Sequence, residues 1–267
     1  MRASLDSYLS ADQLRKAAPA IFAEQPAASR SGRYTFVPTF RVLQRLQDEG
    51  FFPVEVYQSN SRSADGHVFA KHLIRLRRAS DISVARAVGD VFPEALLTNS
   101  HDGASAYKLE GGLYRLACSN GMCTPESVQS FSVRHSGDIG DEVIDGAIRV
   151  VEQAEEFRDK ALSWQGVQLT RDEQLLLADT AIKVRDSAVQ IEPASVLVPR
   201  RWDDRGDDLW RVTNRIQEAL VKGGVRGYGS TGKRIRTRTV AGVSENIKLN
   251  QAIMTLAEKF AELKAAA

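Results

Sequence analysis

The sequence predicts an α+β protein: a mainly antiparallel sheet in the N-terminal half with helices packed on it, followed by a helical C-terminal part. Two patterns lead to this prediction. Runs rich in β-branched and aromatic residues, separated by turn-forming clusters, fill residues 51–137, and apolar residues recur at helical spacing from residue 141 onward. With 267 residues, of which 43% are hydrophobic, the chain is long enough to bury a substantial core.

The sheet is predicted to begin with a β-hairpin. Residues 51–59 (FFPVEVYQS) and 67–78 (HVFAKHLIRLRR) favour strands, and NSRSADG between them favours a turn. A helix precedes this hairpin at residues 39–50, where Gly50 is a typical C-terminal stop. Further strands are predicted in the segments EALLTNS, SAYKLEGG, LYRLACSNGM and FSVRHSG.

The helices of the second half are predicted from their apolar stripes and caps. The first carries a stripe of Val143, Ala147, Val150, Ala154 and Phe157. The second begins with a capping box formed by Thr170 and Glu173. The third is capped by Asp207 or Asp208 and ends at the glycine pair 223–224. The last spans residues 244–263 and presents on one face Ile253, Leu256, Phe260 and Leu263.

Three segments are predicted along the chain. Residues 1–32 form a loosely ordered N-terminal arm that ends in the small-residue stretch EQPAASRSG. Residues 33–190 form the α+β core domain, and residues 191–267 form a C-terminal helical segment with a basic, glycine-rich loop. The Pro- and charge-rich stretch IEPASVLVPRRWDDRGDD marks the boundary between the last two segments.

The composition argues against several classes of protein. No stretch approaches eighteen consecutive apolar residues, so no membrane span is expected. The N-terminus lacks an apolar run of signal-peptide type, so we expect a cytoplasmic protein. Cys118 and Cys123 lie five residues apart without a neighbouring His cluster, so we interpret them as structural thiols rather than as zinc ligands or a disulfide. No metal or other cofactor is expected.

Charge is distributed unevenly along the chain, although the net charge is only +2. Residues 138–159 hold eight acids and two bases, whereas residues 221–240 hold six bases and no acid. Such asymmetry in a nearly neutral chain indicates a local contact with an anionic partner, and a solvated surface is the alternative.

The basic segment contains a near match to a phosphate-binding loop. In GYGSTGKR, residues 227–234, three positions fit the pattern G-x-x-x-x-G-K-[ST], but Arg234 replaces the Ser or Thr that would contact magnesium. A working loop also needs a strand before it and a helix that begins at its lysine, and neither is predicted here. We therefore predict that this segment is not a nucleotide site.

The same segment suits single-stranded nucleic acid. After Lys233 the chain is predicted to be extended, which places Arg234, Arg236 and Arg238 on one face at intervals of about 7 Å, close to the spacing of successive phosphates. Tyr228 supplies a ring for base stacking. A basic edge strand that prevents aggregation is the alternative interpretation.

A second basic face is predicted on the strand over residues 67–78. If this segment is a single strand, the side chains that point away from its apolar face include Phe69, Lys71, Arg75 and Arg77. Tyr57 of the partner strand can join them. Rings and cations on a sheet face are typical of proteins that bind single strands. Arginines that cover a helix with their aliphatic stems are the alternative.

A catalytic site has weaker support in the sequence. His101 and Asp102, together with His135, are candidate metal ligands of a nuclease, but NSHDG is also a typical turn and no second carboxylate cluster completes the site. No Ser-His-Asp or Cys-His arrangement stands out. We therefore expect a binding protein rather than an enzyme.

Longer phrases of the sequence carry a family resemblance. The segment LLTNSHDGASAYKLEGGLYRLACSNGM, with AKHLIRLRR before it and VRHSGDI after it, resembles the phage/plasmid-like family of unknown function, also called the YafZ/YubP-like family. The similarity extends from about residue 34 to the C-terminus. The resemblance implies a bacterial protein carried by a prophage, a plasmid or a related mobile element, and it implies no reaction and no catalytic residues.

The favoured hypothesis is a mobile-element protein that binds single-stranded DNA without nucleotide hydrolysis and self-associates through its helical part, with strand annealing or recombination as its role. The alternatives are a regulator or anti-defence factor that binds a host protein through the acidic helix at residues 141–159, and a metal-dependent nuclease. The residues predicted to contact DNA are Tyr57, Phe69, Lys71, Arg75, Arg77, Tyr228, Lys233, Arg234, Arg236 and Arg238.

Overall fold

The computed structural model describes residues 1–4, 6–27, 36–59, 64–82, 90–102, 107–115, 120–123, 130–133, 139–185 and 187–266. It confirms the predicted fold class, because antiparallel strands dominate the N-terminal half and the C-terminal part is helical. The larger sheet consists of β1 (Phe51–Gln58), β2 (His72–Arg78), β3 (Val91–Asn99), β4 (Tyr107–Arg115), β5 (Asn120–Cys123) and β6 (Phe131–Val133).

The strands of this sheet follow the order β1-β2-β3-β4-β5, and β6 also pairs with β4. The pairs β1/β2, β2/β3 and β4/β6 are antiparallel. A second, two-stranded sheet is formed by β7 (Arg226–Tyr228) and β8 (Arg234–Arg236). The helices are α1 (Ala11–Ala17), α2 (Thr39–Asp48), α3 (Ala64–Phe69), α4 (Ala79–Ile82), α5 (Ile139–Ser163), α6 (Arg171–Val184), α7 (Pro193–Val196), α8 (Leu209–Lys222) and α9 (Val243–Ala265).

The chain divides into two compact units, and the division differs from the predicted boundary near residue 190. Unit 1 comprises residues 1–87, 92–113 and 128–155, and unit 2 comprises residues 88–91, 114–127 and 156–267. The reason for the difference is that α6 packs against α7, α8 and α9, so it belongs with the C-terminal helices rather than with the sheet.

The core of unit 1 lies where the helices pack on the sheet. The predicted stripe of α5 is buried there, with Val143 and Ala147 at 0% exposure, and it packs in one cluster with Leu43 of α2 and Ile74 of β2. At about 25 cal/mol per Å² of buried apolar surface, such side chains each contribute roughly 1.5–3 kcal/mol.

The N-terminal segment is ordered, so the prediction of a loosely ordered arm over residues 1–32 is wrong for its described part. The backbone of Ala3 donates to Val54 O at 2.8 Å, and that of Leu9 donates to Pro53 O at 2.7 Å, so the segment runs beside β1. Ser10 then caps α1 in a capping box. Leu9, Leu14 and Ile21 are at most 1% exposed and join the core of unit 1.

The helices of unit 2 begin and end largely where the sequence predicts. Thr170 and Glu173 form the capping box of α6, and Asp208 caps α8, which ends at Gly223 with a φ of 69°. The predicted apolar face of α9 is wrong at its C-terminal end, because Leu263 is 68% exposed whereas the buried side of the helix includes Met254. Within the described ranges, every helix is too short or too polar to cross a membrane.

Candidate nucleic-acid interface

The open basic face predicted on β2 is wrong, because its two arginines are buried. Arg75 and Arg77 are each 3% exposed, and both pair with Glu94 of β3. Arg75 Nε donates to Glu94 Oε2 at 2.5 Å, and Arg77 Nη2 donates to Glu94 Oε1 at 2.6 Å. The guanidinium of Arg77 also lies 4.7 Å from the ring centroid of Phe92. Neither side chain is accessible to a phosphate.

The charges around Glu94 form a larger buried network in unit 1. Glu55, directly opposite Arg75 in the β1/β2 pair, is 5% exposed and pairs with Arg2 of the N-terminal segment. Burial acts to raise the pKa of Glu94, but Arg75 and Arg77 outweigh it and hold that pKa below its usual range. The positive charges of these arginines therefore neutralise buried carboxylates and are not available to bind a ligand.

The other residues predicted on this face are dispersed. Phe69 lies in α3 and Lys71 in the link to β2, so residues 67–78 are not the single strand that the sequence predicted. Tyr57 is 49% exposed, and its hydroxyl donates to Glu55 Oε1 at 2.8 Å. Burial, followed by the nearby Glu55 carboxylate, raises the pKa of Tyr57 to about 12. The side chains do not form one basic and aromatic surface.

The candidate nuclease residues do not form a site in the described part of the chain. His101 is fully buried, and its Nε2 lies 3.1 Å from the hydroxyl of Thr39. His135 lies outside the described residues. Among the residues that are described, no group of three or more His, Cys, Asp or Glu side chains is arranged to hold a metal ion. Cys118 also lies outside the described residues, and Cys123 is buried in β5.

His72, which lies beside His101, gives a prediction about pH. Its Nδ1 donates to Ala70 O at 3.0 Å, and its Nε2 lies 3.0 Å from Thr39 Oγ1, a geometry that suits the neutral ring. Burial lowers the pKa of His72 from 6.5 to about 4, and the Ala70 carbonyl acts in the opposite direction. The unfolded chain therefore binds a proton that the folded chain excludes between these two values.

We accordingly expect the free energy of unfolding to fall by roughly 3 kcal/mol as the pH drops from about 6.5 to about 4. Urea denaturation across this pH range measures the effect. The control is His72→Gln, which removes the titrating group and should show a correspondingly shallower pH dependence. Equal pH dependence in the two proteins would contradict the assignment.

The basic segment of unit 2 forms a β-hairpin that is fixed at its base by backbone hydrogen bonds. After the end of α8, Gly224 N donates to Thr237 O at 2.8 Å and Thr237 N donates to Val225 O at 2.9 Å. The turn is closed by Gly229 N, which donates to Lys233 O at 2.9 Å, and Gly232 within it has a φ of 74°. A positive φ of this size favours glycine.

The register of the hairpin collects cations and a ring on one face. Arg226 lies directly opposite Arg236, and Tyr228 lies directly opposite Arg234. Directly opposed side chains of an antiparallel pair share a face, with Cβ atoms about 4.5–5.5 Å apart. All four side chains are exposed. Arg226 is one of the six bases of the basic segment, but it was not predicted in the site, because the pairing partner of β7 was not recognised.

The exposed cations of the hairpin have no carboxylate partner among the residues that the structure describes. Across the described residues, no ion pair involves the five bases Arg226, Lys233, Arg234, Arg236 and Arg238. A groove of about 750 Å³, called the hairpin groove below, is lined by the arginines of the shared face together with Tyr228, Ile235, Ser195 and an exposed carboxylate, Glu192. The surface is cationic, concave and open to solvent.

The other edge of β7 is held by the connection that precedes α7. Gln190 N donates to Tyr228 O at 2.8 Å, and Tyr228 N donates to Gln190 O at 2.9 Å. Gly227 allows this close approach, because a Cβ at its position would lie 2.3 Å from Gln190 O. The glycine that matched the first position of a phosphate-binding loop therefore has a packing role.

The hairpin geometry also rules out the phosphate-binding loop. Lys233 is followed directly by strand β8 rather than by a helix, and the turn before it connects two antiparallel strands. A phosphate-binding loop requires the N-terminus of a helix at its lysine. The prediction of an extended segment, rather than a helix, after Lys233 is confirmed.

One exposed aromatic residue near the hairpin was missed by the sequence analysis. Trp202 is 75% exposed, and the guanidinium of Arg205 lies 4.3 Å from its ring centroid. It sits two residues after Arg200, whose Nη2 donates to Gly223 O at 2.6 Å at the base of the hairpin. A tryptophan among charged residues in a Pro-rich connection is the signal that could have indicated it.

The fold and the hairpin define a two-unit α+β protein with an exposed basic hairpin. Residues 26–254 match the family described as domain of unknown function (DUF932), and the chain belongs to that family. It is similar to UPF0380 protein YfjQ and UPF0380 protein YafZ of Escherichia coli (strain K12), each 38% identical over 255 residues, which cover 95% of this chain and 92% of each relative. The resemblance to a YafZ-like family of unknown function is confirmed. No solved structure matches the chain.

Proposed function

We propose that this protein binds single-stranded DNA through the exposed face of the β7/β8 hairpin. The observation that carries the proposal is the direct opposition of Arg226 and Arg236. Like charges directly opposite each other destabilise an antiparallel pair, and within the described structure neither arginine has a carboxylate partner. A bound phosphate between them would remove this repulsion.

The ring on the same face favours a single strand over a duplex. Tyr228 lies opposite Arg234 and is 38% exposed, so part of its side chain is available to a base. Bases can stack on such a ring when they are not already stacked in a duplex, and stacking is worth about 1–3 kcal/mol per base. Lys233, Arg234, Arg236 and Arg238 supply further phosphate contacts along β8 and its ends.

The biological setting is part of the same proposal. The resemblance to a phage/plasmid-like family supports a protein of a mobile element. Our proposal adds that it acts in the cytoplasm, in strand annealing or recombination, as a homo-oligomer and without nucleotide hydrolysis. Two measurements on freshly purified protein test this part of the proposal. The elution volume gives the size of the oligomer, and the ratio of absorbance at 260 and 280 nm shows whether nucleic acid is bound. A large particle that carries nucleic acid supports the proposal, whereas a monomer free of nucleic acid contradicts this part of it.

The direct test is fluorescence anisotropy with a labelled single-stranded oligonucleotide at about 50 mM salt, where phosphate contacts are strong. We expect the triple variant Arg226→Ala, Arg234→Ala and Arg236→Ala to bind at least about tenfold more weakly. Because each lost phosphate contact changes the slope of log K against log salt by about 0.7, the slope should become shallower by about 2.

A matched control separates the hairpin from net charge. The triple variant Lys183→Ala, Lys248→Ala and Lys259→Ala removes three exposed positive charges from the helices α6 and α9 of the same unit. Alanine is a good helix former, so these helices should persist. Binding by this control should match the unchanged protein. Equal weakening of both triples, or no binding by the unchanged protein, would overturn the proposal.

The second candidate, a regulator that binds a host protein, is favoured by the exposed acids of α5. Asp141, Glu142, Asp145, Glu152, Glu156 and Asp159 are exposed on this helix. A pull-down that recovers a stoichiometric basic protein and no nucleic acid would support this candidate. Loss of that protein after exchange of the acids for amides would place the contact on α5.

A further inference from the structure

A second groove lies beside the hairpin and shares Arg236 with the hairpin groove. It has a volume of about 460 Å³ and is lined by three arginines and one carboxylate, Arg185, Arg236, Arg238 and Glu245. Its apolar lining includes Ile235 and Val240. We call it the Arg185 groove.

The guanidinium of Arg185 is held in place and keeps an unused donor. Its Nη2 donates to the backbone oxygen of Arg238 at 2.5 Å, which ties the C-terminal end of α6 to the end of β8. Its Nη1 is buried and has no hydrogen-bond partner among the described residues. Burial lowers the pKa of Arg185, whereas Glu245 acts in the opposite direction. An anion bound to the guanidinium of Arg185, which lines the groove, would offset the cost of this burial.

Ser187 offers another donor to the same groove. Its Oγ accepts a hydrogen bond from Val189 N at 3.2 Å, which leaves its hydroxyl hydrogen available. Thr239 also lines the groove, but its hydroxyl already donates to Lys222 O at 2.8 Å. The donors that remain for a ligand are therefore guanidinium groups and one serine hydroxyl.

The formal charge of the groove indicates which kind of phosphate fits it. Among the described lining residues, three guanidinium groups and one carboxylate leave a net charge of +2. A phosphate monoester carries about −1.5 to −2 charges at neutral pH, whereas the diester of a nucleic-acid backbone carries about −1. Guanidinium groups also bind such oxygens in pairs of parallel hydrogen bonds. One phosphate monoester therefore matches the charge of the Arg185 groove by itself, whereas the hairpin groove, which has the same formal charge, is matched by successive diesters of one strand.

We propose that the Arg185 groove binds a phosphate monoester, as presented by the phosphorylated end of a DNA strand or by a free mononucleotide. The strand-end form rests on the function proposed above, because a strand that lies in the hairpin groove reaches the Arg185 groove across the shared Arg236. If the ligand is a strand end, the protein recognises both the single-stranded DNA and its phosphorylated end.

The test compares oligonucleotides of one sequence that carry a 5′-phosphate, a 3′-phosphate or hydroxyls at both ends. We expect one phosphorylated form to bind about tenfold more tightly than the hydroxyl form, since its end adds hydrogen bonds to charged donors. Arg185→Gln should abolish this preference and leave the affinity for the hydroxyl form unchanged. Glu245→Gln should increase the preference, because it raises the charge of the groove. Arg185→Lys, which keeps the charge but loses the fork, serves as a second variant should Arg185→Gln unfold.

A thymidine monophosphate titration, followed by thermal shift, distinguishes the two sources of the monoester. If all three oligonucleotides bind equally and the nucleotide does not bind, the inference fails while DNA binding stands. If no oligonucleotide binds but the nucleotide stabilises the unchanged protein and not Arg185→Gln, DNA binding fails and the groove is a mononucleotide site. If neither binds, both proposals are overturned.

Discussion

Glu94→Gln is expected to lower the free energy of unfolding by about 3–5 kcal/mol, because it removes the buried carboxylate that pairs with two buried guanidinium groups. Glutamine keeps the shape of the side chain, so the loss is one of charge rather than of packing. Arg75 and Arg77 both pair with Glu94, at 2.5 and 2.6 Å, whereas the contact between Arg75 and Glu55 is longer, at 4.0 Å. Urea denaturation at neutral pH measures the change.

The matched control is the removal of one carboxylate from an ion pair on the surface of the same unit. Asp141→Asn breaks the pair with Arg45, but the Asp141 side chain is 81% exposed, so the expected change is below about 1 kcal/mol. A further variant, Glu94→Leu with Arg75→Met and Arg77→Met, removes the charges together and should recover much of the lost stability. If Glu94→Gln and Asp141→Asn lower the free energy of unfolding by similar amounts, then burial does not make the Glu94 ion pairs stronger than a surface pair.

The same network explains why the prediction of accessible arginines on β2 was wrong. The alternation of leucine and arginine in β2 correctly indicates two faces, but it cannot show what covers the second face. The partner of the β2 arginines is Glu94, about twenty residues later in the chain, and Arg2 of the N-terminal segment pairs with the neighbouring Glu55. A single glutamate within each of two apolar strands, FFPVEVYQ and VFPEALLTN, is the signal that could have warned of buried arginines.

The sequence was sufficient to predict those structural features that depend on residues close together in the chain. The capping box of α6, the stripe of α5 and the end of α8 depend on residues within a few positions of one another, and each was predicted. The N-terminal segment failed for the opposite reason. Its anchors, Leu9, Leu14 and Ile21, are far apart in a stretch of small residues, and their partners are distant in the chain. The opposition of Arg226 and Arg236 likewise depends on the length of a turn that was not recognised.

Gly223→Ala is expected to destabilise unit 2 by roughly 3 kcal/mol or more and to weaken DNA binding with it. Gly223 has φ 69° and ψ −152°, a combination that is essentially restricted to glycine and costs other residues about 1–3 kcal/mol. A Cβ at this position would also lie 2.5 Å from the backbone carbonyl of Arg238, so the segment after β8 would have to move. The base of the hairpin and the wall of the Arg185 groove share that backbone.

Gly224→Ala separates the clash from the backbone strain. Gly224 also has a positive φ, 77°, but the nearest atom to its added Cβ is Arg200 Nη2 at 3.9 Å. This control should therefore cost only about 1–2 kcal/mol. Thermal denaturation and anisotropy on both variants give the comparison. If Gly223→Ala loses stability but keeps full affinity for single-stranded DNA, then the position of β8 does not matter for binding, and the DNA must contact another surface.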